Sequence, residues 1–439
     1  MSIRQFHHPD LSLWQSAVDQ VVVKAASGAR TPAMGAPPVA VRRPDMSDGM
    51  VGATVTAGQY LEQGLSLAKQ SAAAGGPQAT EGVGDWAKYC SSIWWEIAKA
   101  KAAGDNVAEQ NWRAQLGSFG TCDPRYAEAA EQYVNFFKLK SGKVPYRVWK
   151  TLDDFIIDWP VPATARIAIL GDWGTGQPEA RALLAAIARK KPDIVIHLGD
   201  VYYAGTDFEV DNYFLNIWRS ELNLAATRTF SLSGNHDMYS GGQPYYRMIQ
   251  SLGQPASYFC LRNDDWQFIA LDTGLHDDDA FGSTPTYLED TEVQWLKHKI
   301  DTAGRRRTML LSHHQLFTAF DSVGGSGYVN ATLNGQVGAF LPKVAVWFWG
   351  HEHNQVIYKP YQGVLARCIG HAAYPVGITE IPAMPKFSAV PLESVTLAKG
   401  ASFYAHGYAI MELNGPGASV SYYQSSDPED HAMFIEKLS

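Results

Sequence analysis

Five short polar motifs, each at the end of an apolar run, constrain this chain more than any other feature. They read Gly171-Asp172-Trp173-Gly174, Gly199-Asp200-Val201-Tyr202-Tyr203, Gly234-Asn235-His236-Asp237, Ser312-His313-His314 and Gly350-His351-Glu352-His353-Asn354. The runs before them (167–170, 194–198, 229–233, 308–311 and 344–349) have the length and apolar content of buried strands. Helical patterns stand between them. Pro178-Glu179 opens one, with proline at the first helical position and an acid near the positive end of the dipole. Ala180, Leu183, Leu184 and Ile187 give it an apolar face. Residues 207–219 read as a second helix, and Val293, Leu296 and Ile300 mark a third. Residues 258–261 and 266–271 read as a β-pair, as do 403–413 and 418–423 across Asn414-Gly415-Pro416-Gly417. Alternation of β and α followed by a strand-rich end predicts an α/β domain with its site in the loops after strand C-termini.

The motifs carry a metal-binding vocabulary. Asp172 and Asp200 each follow a strand and a glycine, which lets the chain turn and brings the carboxylate to the rim. Two carboxylates aimed at one point repel unless cations lie between them, and one of them can bridge two ions. The amide oxygen of Asn235 suits a hard divalent cation. His351 and His353 are two apart; in extended backbone they point the same way, so both reach one site, which His313 completes. His314 is the alternative to His313. Tyr203 places a phenol three residues after Asp200. Phenol has a pKa near ~10 and ligates as phenolate only beside a strong Lewis acid such as Fe(III). Tyr202 reads as a core residue. Any one of these motifs alone would be an ordinary turn or a structural histidine; their combination is not.

The remaining sequence sets bounds. The 439 residues suffice for two or more domains, and 46% hydrophobic with 18% charged content builds a sizeable core. A net charge of −8 disfavours nucleic acid as a partner. Residues 1–30 lack the pattern of a secretory signal and no apolar run reaches membrane-spanning length, so a cytoplasmic protein without a membrane partner is expected. Cys90, Cys122, Cys260 and Cys368 form no paired motif and read as buried thiols, with a Cys90–Cys122 bridge as the alternative. Residues 1–150 are read as a mainly helical accessory region with a proline-rich linker near 30–50, and 160–439 as the catalytic domain. Asp105 is placed to cap a helix there. If that region caps the site, Trp94, Trp95 and Trp112 are candidates to line the cleft. His276-Asp277-Asp278-Asp279 reads as a solvated loop, and Gly324-Gly325-Ser326-Gly327 as a flexible loop without a phosphate-binding lysine. His371 is read as near the site or structural. Oligomeric state is not readable.

In their order the five motifs resemble those of the calcineurin-like metallophosphoesterases, and more narrowly the purple acid phosphatase branch. Many other branches open with Asp-x-His; here Gly174 stands at that place and Tyr203 supplies the replacement ligand. The resemblance spans roughly residues 165 to 425 and leaves out the first 150. It implies a metallophosphoesterase β-sandwich flanked by helices and two metal ions. Asp172, Tyr203 and His353 would hold Fe(III); Asn235, His313 and His351 would hold a divalent ion (Fe, Zn or Mn); Asp200 would bridge. The family often has a proline soon after the third-strand histidine, where this chain has His314 and Gln315. The implied reaction is hydrolysis of small-molecule phosphate monoesters by metal-bound hydroxide. His236 would contact the phosphate or protonate the leaving group, oriented by Asp237. The alternatives are a phosphodiesterase using the same site and, less favoured, a non-catalytic metal-binding scaffold.

Overall fold

The computed structural model describes residues 103–106, 108 and 144–438, apart from 278–284, 321–322, 324–326, 379–384, 394–396, 401–402, 426 and 428. The chain divides into two units, Met1–Ser141 and Gly142–Ser439. In the first, Asp105 accepts from the N–H of Ala108 (2.9 Å), the capping contact expected of it. The other helices and the linker expected there, with Cys90, Cys122, Trp94, Trp95 and Trp112, lie outside the described residues.

Among its described residues the second unit contains twelve strands: β1 Arg166–Leu170, β2 Ile194–His197, β3 Arg228–Ser231, β4 Phe259–Arg262, β5 Trp266–Ala270, β6 Arg307–Leu311, β7 Val344–Trp349, β8 Gln355–Ile357, β9 Ala366–Ile369, β10 Gly407–Asn414, β11 Gly417–Gln424 and β12 Phe434–Leu438. They form two six-stranded sheets, ordered β12-β11-β10-β1-β2-β3 and β4-β5-β6-β7-β9-β8. The strands that carry motifs are parallel, with Ile169 opposite Ile196 and Ile196 opposite Phe230 in one sheet, and Leu310 opposite Trp347 in the other.

Alternation along each strand decides the layers. Ile167, Ile169, Ile196 and Phe230 of the first sheet share one core with Phe268, Met309, Phe348 and Ile369 of the second. Ala168, Leu170 and Val195 point the other way, onto Leu184 and Ile187 of the helix Pro178–Arg189 and onto Trp218. Ile269, Leu310 and Trp347 pack with Trp295 and Leu296 of the helix Asp290–Asp301. The result is a β-sandwich with helices on both outer faces. Strands buried on both faces have no polar side, which is why β1, β2, β6 and β7 read as continuous apolar runs. Each large side chain so buried contributes about 1.5–3 kcal/mol.

Residues 144–157 belong to this unit. Trp149 donates its indole N–H to Thr291 O (2.7 Å), and Ile156 bridges Cys260 of β4. The helical stretch expected at 207–219 forms over Asp207–Glu209, Val210–Leu215 and Asn216–Glu221, with π-helical geometry in its middle part. Cys260 and Cys368 are buried free thiols, as expected. Among the described residues no helix is long and apolar enough to cross a membrane.

Candidate metal centre

The motif strands β1, β2 and β3 of one sheet and β6 and β7 of the other end at a common edge. There the loops are stitched together: Asp172 N–H donates to Gly199 O (3.1 Å) and Gly350 N–H to His313 O (2.9 Å). The motif side chains converge in two groups.

In the first group, Asn235 Oδ1 lies 3.1 Å from His313 Nε2 and 3.1 Å from His351 Nδ1, and these two nitrogens are 3.2 Å apart. Ligands bonded at ~2.1 Å stand ~3.0 Å apart in an octahedron and ~3.4 Å apart in a tetrahedron, so this triangle matches one face of a divalent ion's coordination shell. His313 Nδ1 contacts Leu198 O (3.0 Å), which fixes a proton there and turns the lone pair of Nε2 toward the group. In the second group, Asp172 Oδ1 lies 3.3 Å from His353 Nε2. Tyr202 Oη lies between them, donating to Asp172 Oδ1 (2.8 Å) and 2.9 Å from His353 Nε2. Asp200 joins the two groups. Its Oδ2 is 3.4 Å from His313 Nε2, and ligand atoms of Asp172, Asp200 and His313 all lie within 4.8 Å of one another. Carboxylate, imidazole, amide and phenol donors in this arrangement fit two ions.

The electrostatics state the same demand. Burial alone would raise Asp200, but His313 and His236 hold its carboxyl well below the ordinary range. Burial alone would depress His313, yet Asp200, Asp172 and Asp237 outweigh it and bring the imidazole up to about 9. Three buried carboxylates call for positive charge at this point, and a proton or a metal ion supplies it. His351 is pushed well below the usual histidine range by burial and by His314 and His313 beside it, which favours the neutral form a metal requires.

Asp172, Asp200, His351 and His353 all have left-handed backbone, with φ of 59°, 77°, 66° and 47°. This changes two expectations. At the first motif the turn is taken by Asp172 itself. And His351 and His353 are not extended: they turn their rings to different groups rather than to one. The motif glycines serve close approach. A Cβ on Gly234 would stand 2.1 Å from Asp200 Oδ1, and one on Gly350 would stand 2.7 Å from Asp172 Oδ2.

The tyrosines also divide differently. The phenol that meets Asp172 and His353 is that of Tyr202. Tyr203 enters through its backbone: its N–H goes to Glu209, and its carbonyl faces His236 Nδ1. Asp237, expected to orient His236, instead accepts from the backbone N–H of Gly234 (2.8 Å), Asp200 (3.0 Å) and Val201 (3.2 Å). A short carboxylate at the start of the helix Asn235–Met238 is well placed for those amides, and the Tyr203 carbonyl takes the imidazole. His236 Nε2 lies 4.0 Å from Asp200 Oδ2.

Of the His313–His314 pair, His313 meets Asn235. His314 Nδ1 is 3.1 Å from Thr273 Oγ1, and its Nε2 is 2.9 Å from Asp277 Oδ2, so Asp277 is not merely solvated. His276 pairs with Glu289 (2.9 Å) and stacks on Tyr287. Asp278, Asp279 and residues 324–326 lie outside the described residues. His371 is buried against Gly407 and pushed down to about 3 by burial and then by His406. Sequence reasoning missed Glu209, whose buried carboxylate accepts from the N–H of Tyr203, Ala204 (3.1 Å) and Thr206 (3.0 Å), and Tyr374, which stacks on His353 with centroids 4.1 Å apart. The capping spacing Thr206-x-x-Glu209 was a signal for the first; nothing local marks the second.

The sandwich thus brings two groups of donor side chains together at one loop edge. Residues 165–355 match the family model of the calcineurin-like phosphoesterases. A 3′,5′-cyclic adenosine monophosphate phosphodiesterase CpdA from Pseudomonas aeruginosa is 27% identical over 172 residues, 38% of this chain and 58% of that protein. The one from Escherichia coli (strain K12) is 30% identical over 132 residues, 28% of this chain and 43% of that protein. The chain spans about half the length of the curated relatives it matches. Among solved structures, a purple acid phosphatase from yellow lupin (Lupinus luteus) seeds is 14% identical with a TM-score of 0.46, over 64% of this chain and 55% of that one. A dimetal phosphatase from Danio rerio is 12% identical with a TM-score of 0.43, over 64% of this chain and 99% of that one.

Proposed function

We propose that this protein hydrolyses phosphate monoesters at a two-metal centre, one ion Fe(III) and the other divalent Fe, Zn or Mn. The observation that carries the reading is the pair of donor groups, Asn235–His313–His351 and Asp172–His353, with Asp200 joining them. When bound, the ions supply hydroxide near neutral pH and neutralise charge on the phosphoryl oxygens. Asp200 would be shared between the two ions, and its Oδ1 is steadied by the N–H of His236 (3.0 Å). His236, its Nδ1 held by the Tyr203 carbonyl, has its Nε2 4.0 Å from Asp200 Oδ2, where it would contact the phosphoryl group or hand a proton to the leaving oxygen. Asp237 keeps the Asp200 and Asn235 loops in register through three amides.

A second reading is diester hydrolysis at the same centre, supported by the phosphodiesterase names of the relatives. Side-by-side hydrolysis of p-nitrophenyl phosphate and its bis-ester, with Asp200→Asn as control, separates the two. Faster monoester cleavage that disappears in the variant supports the phosphatase reading. Faster diester cleavage replaces it with the second. Cleavage of neither by protein with two bound metals overturns both in favour of a binding role.

A further inference from the structure

We propose that the tyrosine ligand of this centre is Tyr202, one residue earlier than the Gly-Asp-x-x-Tyr spacing assigns it; this rests on the two-metal reading above. Tyr202 Oη, Asp172 Oδ1 and His353 Nε2 form a triangle with sides of 2.8, 2.9 and 3.3 Å. That is nearly the size of the Asn235–His313–His351 triangle, whose sides are 3.1, 3.1 and 3.2 Å. Each fits one face of a metal's coordination shell.

The backbone explains the choice. Tyr202 N–H donates to Gly174 O (2.9 Å), which lays this residue across the Asp172 loop. Gly174 itself has no room for a side chain, because a Cβ there would stand 2.7 Å from Val201 Cα. Val201 thus fills the space beside Gly174, and the phenol of Tyr202 reaches Asp172 from across the isolated β-bridge between Gly174 and Val201. Tyr203 contributes its main chain, the N–H to Glu209 and the carbonyl to His236 Nδ1. When the ion binds, the phenol proton that Asp172 now accepts passes to solvent and the oxygen lone pair goes to the metal.

The test is the visible tyrosinate-to-iron charge-transfer band of protein loaded with Fe(III) and Zn(II), with metal content measured by mass spectrometry. The parent should show the band, Tyr202→Phe should lose it while circular dichroism stays native, and Tyr203→Phe should keep it. Loss in Tyr203→Phe, retention in Tyr202→Phe, or a parent that binds iron and zinc without the band each overturns the proposal. Tyr203→Phe decides alone if Tyr202→Phe does not fold, since a surviving band excludes the motif tyrosine. A parent that takes up no pair of metals brings down the two-metal reading together with this one. The wrong band pattern on a two-metal protein brings down only the Tyr202 assignment.

Discussion

The two donor groups of the centre are built from opposite materials. Asn235, His313 and His351 offer an amide oxygen and two imidazole nitrogens, donors without formal negative charge, whereas Asp172 and Tyr202 offer a carboxylate and a phenol beside His353. Nitrogen-rich neutral donors suit a borderline divalent ion, and anionic oxygens favour a harder, more highly charged one. On the proposed two-metal reading, one loop edge would sort two different ions, with Asp200 as the group that belongs to both.

The largest test of this asymmetry is Asp200→Asn. It removes the charge common to both groups, and turnover should fall by about 10³-fold with loss of metal from both sites. A variant that keeps one ion fully would show that the groups are independent. Next is His236→Ala, which should cost about 10²-fold on poor leaving groups and less on good ones, with both ions retained by mass spectrometry. An equal loss on both substrates removes the proton-donor role. Asn235→Ala strikes only the neutral group. It should lower turnover by about 10-fold at saturating divalent metal and more at low metal, leaving the iron in place; simultaneous loss of iron would erase the distinction between the groups.

The smallest effect lies in the frame behind the Asn235 loop. Glu292, buried, accepts from Asp272 N–H (2.9 Å) and from the Tyr146 hydroxyl (3.2 Å), and Asp272 in turn accepts from Ser233 Oγ. Burial first, then Asp272, raises Glu292 well above the usual carboxyl range. A raised folded-state value means that the folded chain holds this proton more tightly. Its contribution is complete below the unfolded value near ~4.3 and is lost as pH rises through the folded value. Glu292→Gln makes the neutral form permanent. Its Tm should match the parent near pH ~4 and exceed it by about 2 °C near pH ~8. A uniform offset at both pH values would mean that the proton is not what matters.

Much of this was legible in the sequence, for a physical reason. Parallel strands buried on both faces are mostly apolar, so β1, β2, β6 and β7 end visibly where their motifs begin. β9 was not legible. It buries Arg367 in mid-strand, and the charge is satisfied by Glu436 (2.7 Å) of β12, 69 residues away. A lone arginine in a four-residue stretch gives no hint of that partner. The choice between Tyr202 and Tyr203 was hidden because alternation stops guiding side chains once a strand has ended. The separation of His351 from His353 was hidden because both leave extended geometry.

The left-handed backbone at Asp172, Asp200, His351 and His353 sets selection for a durable fold against selection for metal capture. At such positions glycine is the relaxed residue, and alanine is worse than glycine by about 1 kcal/mol. In metal-free protein His353→Gly should melt above His353→Ala, and equal midpoints would deny the conflict. Repeated screening for heat resistance without metal would then carry the loop edge toward glycine, giving a sturdier sandwich that no longer holds its ions.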